Sequence, residues 1–217
     1  MLQLLYNQQF ALFIPIIVTL IISLTFHEYA HAASAKLLGD DTAQRLGRLN
    51  INPIAHIDPI GLVMVVLVGF GWAKPVPTNP NNYTGKWASW GTPLVAAAGP
   101  AMNLLLAFIT INVYYAGVKS GNAWFTQPGP QTFFFILASI NLLLMLFNLI
   151  PLGPLDGHYI LGHFLPAKLS SIYLEYNRRY GHFVFLGLII LSFLGIPIFS
   201  KLLSIAYTIL PKLVIVT

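Results

Sequence analysis

The feature that most constrains this chain is a His-Glu-x-x-His motif inside a long apolar run. The motif occupies residues 27–31, and the apolar run extends over residues 10–38. An ionisable residue at the centre of a bilayer costs about 2.5–3.5 kcal/mol on insertion scales, so two histidines and a glutamate there need a compensating partner or function. On a helix, His27 and His31 lie one turn apart on the same face, and each can give one ring nitrogen to a zinc ion.

Glu28 directly follows the first histidine of the motif. In metalloproteases with this motif, the glutamate at that position is the general base for the attacking water. The same short pattern also arises by chance, and isolated histidines in a membrane helix are able to serve only as hydrogen-bonding groups between helices. The apolar setting argues against both alternatives, because idle ionisable groups are expensive there.

The composition indicates an integral, multi-pass membrane protein. Of 217 residues, 57% are hydrophobic and only 8% are charged, whereas about a quarter of the residues in soluble domains are charged. There is no cysteine, so a disulfide framework and a thiolate zinc site are excluded, and a metal must be bound by histidine and carboxylate. The net charge of +5 does not indicate nucleic acid, because the basic residues are distributed along the loops, where they act as topology signals.

The apolar pattern predicts one membrane-embedded domain over residues 1–217. We expect an all-α polytopic membrane protein with four to six transmembrane helices and a short re-entrant or β-containing segment after the first span. The predicted segments are a span at 10–38, an irregular or re-entrant segment at 42–92, spans at 93–118 and 132–150, a broken Asp-containing segment at 151–165, and a C-terminal span or hairpin at 182–211.

Two parts of the 42–92 segment carry distinct expectations. Pro53 and Pro59, within and directly after residues 42–58, exclude a continuous helix, so we expect irregular or short β structure there. Residues 60–70 are apolar but short, since a spanning helix needs about 20 residues and a run of about 10–14 is more typical of a re-entrant or interfacial segment. Residues 166–181 are predicted to be a polar connector.

A catalytic zinc site has three protein ligands and an open position, so one ligand remains to be found. Among the acidic residues, only Asp156 lies in a broken apolar segment, and irregular backbone at membrane depth is tolerated where it lines a cavity. An aspartate just before a helix is also a preferred N-cap, and the two roles are compatible. The competing third ligands are His56, His158 and His163, of which His158 is the strongest because it lies two residues from Asp156.

The distribution of basic residues predicts the orientation. If residues 60–70 do not cross the membrane, loops 36–91 and 151–181 share one face, and both contain several basic residues, while loop 119–131 on the other face contains only Lys119. The positive-inside rule then places the first two loops in the cytoplasm. His31 and Asp156 come out at similar depth, so we expect the active site near the cytoplasmic side.

These motifs resemble those of the site-2 protease family of intramembrane zinc metalloproteases, in its prokaryotic branch. The HEYAH sequence at 27–31 resembles the first family motif, and NLIPLGPLDG at 148–157 resembles the second. The GPAMN sequence at 99–103 and the GWAKPVP sequence at 71–77 resemble further stretches of bacterial and archaeal members. The resemblance covers most of the chain. The loop 119–131 is too short for a PDZ insertion, so we expect a minimal core without a PDZ or C-terminal regulatory module.

The resemblance implies one zinc ion per chain, held by His27, His31 and Asp156, with Glu28 as the catalytic acid and base. It implies hydrolysis of peptide bonds in transmembrane protein substrates within the lipid bilayer of a prokaryotic cell membrane.

Three further residues are candidate contacts for the substrate backbone or the oxyanion. They are Asn148, His158 and Asn103. His158 stands where many family members have a glycine, which leaves open whether it contacts substrate or supports a ligand.

Two alternatives remain at this point. A prenyl-protein protease is also a membrane zinc enzyme, but it usually takes a glutamate as third ligand, and no second acidic helix is present here. A non-proteolytic membrane metal-binding or transport protein is the other alternative. A transporter should carry polar groups in several spans, whereas the later spans here offer mainly asparagines, at 103, 112, 141 and 148.

Overall fold

The computed structural model describes residues 1–216, and within them the protein is helical and contains no β-strand. The only β pairing in this range is an isolated antiparallel bridge between Ile57 and Ala73. The α-helices are α1 (Leu2–Tyr6), α2 (Phe10–Leu37), α3 (Thr42–Arg45), α4 (Pro53–His56), α5 (Pro59–Val68), α6 (Gly91–Lys119), α7 (Pro128–Asn148), α8 (Gly157–Phe164), α9 (Ala167–Phe193) and α10 (Ile198–Ile209). Short 3₁₀ helices lie at Pro80–Asn82, Ala88–Trp90 and Leu210–Leu213.

Helices α2, α6 and α7 pack together and are each long and apolar enough to cross a membrane. Small residues lie at the helix contacts, where Ala107 of α6 and Ala138 of α7 are completely buried beside Leu142. In lipid, small side chains let helix backbones approach closely, and van der Waals packing then holds the helices together. The all-α polytopic expectation is confirmed. The segments 10–38, 93–118 and 132–150, which were predicted to be spans, overlap with α2, α6 and α7.

The C-terminal part differs from the expectation in one respect. Helix α9 already begins at Ala167, so residues 167–181 of the expected connector are helical. Their polar residues lie along the helix, where Glu175 and Arg178 form an exposed pair one turn apart. Helix α9 then meets the helical segment Ile198–Leu213 at 85°. The described structure therefore has three helices that are long and apolar enough to cross a membrane, or four if this bent pair forms one span, which supports only the lower end of the predicted four to six.

Residues 42–58 form the one-turn helices α3 and α4, so the short β structure expected there is limited to the single bridge at Ile57. Each proline opens a helix, because a missing N–H has no consequence at the first helical position. The side chain of Asn52 caps α4, and the side chain of Asp58 caps α5. Helix α5 has 10 residues and a length of about 15 Å, half the hydrocarbon thickness of a bilayer, so it is too short to cross.

Residues 71–77, which we call the strap, lie against α5 and return the chain towards α2. A Cβ atom on Gly71 would lie 2.0 Å from the carbonyl oxygen of Gly61, and a Cβ on Gly61 would lie 2.1 Å from that of Trp72. Only glycine permits so close a backbone approach. The backbone N–H of Lys74 also donates to the carbonyl of His56 at 2.8 Å. These contacts fix the strap beside α5 and the end of α4.

Asp40 fixes the loop that follows α2. Its carboxylate is completely buried and accepts hydrogen bonds from the N–H and hydroxyl of Thr42, the side chain of Asn82 and the N–H of Asn79. Burial raises the pKa of Asp40, but these donors outweigh burial and hold the pKa below its ordinary value.

Candidate metal centre

The structure brings three ligand atoms of the predicted site together. His27 and His31 project from α2, and Asp156 lies in the irregular segment between α7 and α8. The two Nε2 atoms are 3.1 Å apart, and they lie 3.2 and 3.4 Å from Oδ2 of Asp156. In a tetrahedral zinc site with bonds of about 2.0–2.1 Å, ligand atoms are about 3.3–3.4 Å from one another. We call these three residues the metal triad, and among residues 1–216 they form the one group arranged to hold a metal ion.

The hydrogen bond of His31 fixes its tautomer. Its Nδ1 lies 2.7 Å from the carbonyl oxygen of Val95 on α6. A carbonyl oxygen only accepts, so Nδ1 carries the proton and Nε2 presents a lone pair to the triad. The ring is 9% exposed, and the backbone of α6 holds its orientation.

Asn103 fixes His27 in the same way. The amide nitrogen of Asn103 donates to the carbonyl of Ser23 at 3.3 Å and to Oδ1 of Asn141 at 2.8 Å, so its oxygen faces His27. That oxygen lies 2.6 Å from Nδ1 of His27 and therefore accepts a hydrogen bond from the Nδ1–H group. Both histidines thus donate through Nδ1 and leave Nε2 unprotonated, the arrangement typical of zinc-binding histidines.

The donor set fits a zinc ion. Two unprotonated Nε2 atoms and one carboxylate oxygen face one another, and Oδ2 of Asp156 is buried without a hydrogen-bond partner in the part of the chain described. Three electron-pair donors at such distances repel one another unless a cation lies among them. The side chain of Asp156 makes no capping hydrogen bond to α8, so its position is explained better by the triad than by helix capping.

Helix α6 approaches the triad at Gly99. A Cβ atom there would lie 2.4 Å from Nε2 of His31 and 2.6 Å from Nε2 of His27. Any side chain at this position would occupy space that the imidazoles need. The glycine therefore allows α6 to pack on the ligand face of α2 and to present the Val95 carbonyl and the Asn103 amide to the two rings.

Glu28 is 8% exposed and points towards the strap. Its Oε2 accepts a hydrogen bond from the backbone N–H of Val76 at 3.0 Å. Its other oxygen, Oε1, makes no hydrogen bond to any described residue. One carboxylate oxygen is therefore held in place by the strap, while the other is not held by any described residue.

The competing histidines lie elsewhere. The Nδ1 of His158 bonds to the carbonyl of Leu155, and its ring lines a separate cavity of about 470 Å³ beside α9. Burial lowers the pKa of His158 below its ordinary value. His56 is completely buried and bonds to the carbonyl of Asn50, and the ring of His163 packs on Trp90.

The candidate substrate contacts differ in their surroundings. Asn103 is completely buried behind His27, where its amide supports a triad histidine and does not face open space. The side chain of Asn148 is half-buried and donates to the carbonyl of Leu144. Sequence reasoning did not assign a role to Asn141 or to the Val95 carbonyl. The sequence could have indicated a role for Asn141, because a polar amide inside the apolar helix α7 needs a hydrogen-bond partner. It could not have indicated the Val95 carbonyl, because every residue has a backbone carbonyl.

The apolar helices and the triad define a class of protein, a multi-pass membrane protein with a hydrolytic metal centre of the HExxH type. Comparison with known proteins specifies the family. The profile described as peptidase family M50 matches residues 115–192. The candidate zinc metalloprotease YwhC of Bacillus subtilis is 41% identical over 179 residues, which cover 81% of this chain and 80% of the relative.

A second relative is the candidate zinc metalloprotease Rip2 of Mycolicibacterium smegmatis. It is 29% identical over 158 residues, which cover 67% of this chain and 55% of the relative. No solved structure matches the chain. The chain belongs to peptidase family M50, the site-2 protease family, and is accordingly a zinc metalloprotease.

Proposed function

We propose that the protein hydrolyses peptide bonds within or near the transmembrane segments of membrane-protein substrates, in regulated intramembrane proteolysis. The observation that carries this proposal is the position of the site. His27, Glu28 and His31 lie on α2, a helix of 28 residues that packs among the other apolar helices. A catalytic group on such a helix is accessible mainly to peptide that is itself in or at the membrane.

The metal triad is proposed to hold one zinc ion per chain through Nε2 of His27, Nε2 of His31 and the carboxylate of Asp156. When bound, zinc supplies Lewis acidity, which polarises a carbonyl and makes water more acidic. The triad contributes one negative charge, so the loaded site keeps a net positive charge that favours an oxyanion during peptide hydrolysis.

Glu28 is proposed to take the proton from the attacking water and to deliver it to the leaving amine. The contact between its Oε2 and the N–H of Val76 supports this role, since it limits rotation of the carboxylate and leaves Oε1 for the proton. The candidates for contact with the substrate backbone are Asn148 and His158, whereas the proposed task of Asn103 is to orient His27.

The substrate has to unwind before it is cleaved, because the carbonyls of a transmembrane helix are bonded within the helix. The proposed location is the cell membrane, with the site near the cytoplasmic face. The basic residues of the segments 36–91 and 151–181 support this orientation through the positive-inside rule.

The test uses purified protein in liposomes with single-span peptides whose apolar segment does or does not contain a Gly-Pro pair. We expect cleavage inside the apolar segment, faster with Gly-Pro, and fragment masses identify the bond. Glu28→Gln should retain zinc and lose cleavage, because glutamine still accepts from Val76 and cannot accept a proton. Undiminished cleavage by Glu28→Gln, or cleavage restricted to soluble unfolded protein, would contradict the proposal.

A further inference from the structure

We propose that Arg48 is a positioning residue for Glu28 and acts through the single peptide group that joins Pro75 to Val76. The inference rests on the proposed role of Glu28 as the general base. Arg48 lies in the loop after α3, outside the family motifs, and its guanidinium hydrogen bonds go to strap carbonyls and not to Glu28.

The guanidinium of Arg48 is bound to two successive carbonyls of the strap. Its Nη1 donates to the carbonyl of Pro75 at 3.0 Å, and its Nη2 donates to that of Lys74 at 2.5 Å. The residue is only 6% exposed. A planar fork with two donors fixes both the position and the orientation of the backbone that it binds.

The Pro75 carbonyl and the Val76 N–H belong to the same planar peptide unit. Arg48 binds the oxygen end of this unit, and Glu28 accepts from the nitrogen end. Orientation of the plane by Arg48 therefore sets the direction of the N–H that holds Glu28. A cation on the carbonyl also polarises the peptide and strengthens the N–H as a donor.

The prolines of the strap leave no alternative donor. Pro75 and Pro77 have no backbone N–H, so Val76 supplies the only main-chain donor at residues 75–77. A rotation of the Pro75–Val76 peptide would therefore leave Glu28 without any donor from this part of the strap. Because Glu28 depends on this one N–H, the orientation of the Pro75–Val76 peptide unit controls the position of the Glu28 carboxylate.

A purely structural role for Arg48 explains less. The strap is already anchored by the Gly61–Gly71 contact and by the N–H of Lys74 on the His56 carbonyl. A neutral amide would satisfy one carbonyl without the desolvation of a charged group. A buried guanidinium is favoured over a neutral amide when a carboxylate lies nearby. Here the Glu28 carboxylate lies on the other side of one peptide unit, so its negative charge compensates the positive charge of Arg48.

The experiment compares Arg48→Met and Arg48→Lys with Arg45→Met, a matched control. Arg45 lies three residues earlier, with its side chain 64% exposed in a pair with Asp41. Zinc content, kcat and KM are measured for each protein in liposomes with the same single-span peptide. We expect Arg45→Met to equal the wild type in all three quantities.

Arg48→Met should keep its zinc and its KM and should lower kcat about 10- to 100-fold. This loss is smaller than the whole contribution of a positioned general base, which is about 10²- to 10⁴-fold, because Glu28 is still present. Arg48→Lys should recover some of kcat, because one ammonium reaches one carbonyl. If Arg48→Met does not fold, Arg48→Lys alone decides, with reduced kcat at unchanged KM expected.

Wild-type kcat in Arg48→Lys and Arg48→Met would overturn the proposal, as would a loss of zinc or a change confined to KM. These results would leave the proposed function intact if Glu28→Gln is inactive. Full activity of Glu28→Gln would instead overturn the proposed function.

Discussion

Replacement of Gly99 by alanine should remove zinc from the protein while leaving its fold intact. The added Cβ would lie 2.4 Å from Nε2 of His31 and 2.6 Å from Nε2 of His27, whereas ordinary contact begins at 3.4 Å. Each nitrogen has to move by about 1 Å, about five times the 0.2 Å tolerance of a zinc–ligand bond. Disturbing a single contact that supports a metal ligand typically lowers metal affinity about 10- to 100-fold. Because Gly99→Ala displaces both histidines, we expect a loss of zinc affinity at least as large.

The fold should tolerate the substitution because the atoms that the Cβ meets first are the ends of two side chains. Without metal, the imidazoles can rotate away, so the unfolding temperature of the zinc-free protein should change little. Zinc affinity is measured by competition with a chromophoric chelator, and unfolding of the zinc-free protein is followed by circular dichroism in the same detergent.

Gly187→Ala is the matched control. Gly187 lies in α9, and an added Cβ there would meet nothing within 4 Å. Its zinc affinity should equal that of the wild type. Wild-type zinc affinity in Gly99→Ala would refute the reasoning, because the metal would then lie away from the point where the three ligand atoms meet. Loss of the fold in zinc-free Gly99→Ala would refute the claim that only the rings are displaced.

Three further predictions follow from individual contacts. Asp156→Ala should lose most zinc and all cleavage, while His158→Gly keeps its zinc by elemental analysis; the reverse pattern would indicate a three-histidine site. Asp40→Asn should lower the free energy of unfolding by about 1–3 kcal/mol. Because the pKa of Asp40 is lowered on folding, this difference should be full above about pH 5 and shrink as the pH falls below about 3.9; a pH-independent difference in unfolding temperature would contradict it. Cysteines at Lys86 and Thr126, in a chain without native cysteine, should label from opposite sides of the membrane, and labelling from one side would refute the topology.

The HExxH pair was predictable because its geometry is local. Positions four apart on a helix share a face whatever surrounds them, so residues 27 and 31 had to converge once α2 formed. Asp156 was found by elimination, as the one carboxylate in a broken apolar segment. Its approach to within 3.2 Å of His27 depends on the packing of α7 against α2, which the sequence indicated only through the orientation of the spans.

Residues 166–181 show where composition misleads. Their polar side chains indicated a connector, but the structure continues them as the first half of α9. Polarity distinguishes surface from lipid and does not by itself distinguish helix from loop. The same limitation applied to the segment around Pro53 and Pro59, where the two prolines excluded one long helix but were compatible with the short helices α4 and α5, which each begin at a proline.

The sequence by itself indicated the class of this protein, its candidate metal-binding histidines and its candidate general base, since apolar composition and the 3.6-residue helical period are local properties of the chain. The tertiary structure alone decided which groups support them. Asn103 reaches His27 across 76 residues of sequence, and Val76 reaches Glu28 across 48. Contacts of this kind depend on how α6 packs on α2 and on how the strap passes between α5 and the histidine motif. No local pattern encodes such contacts, because they form only when distant segments are brought together in the folded protein.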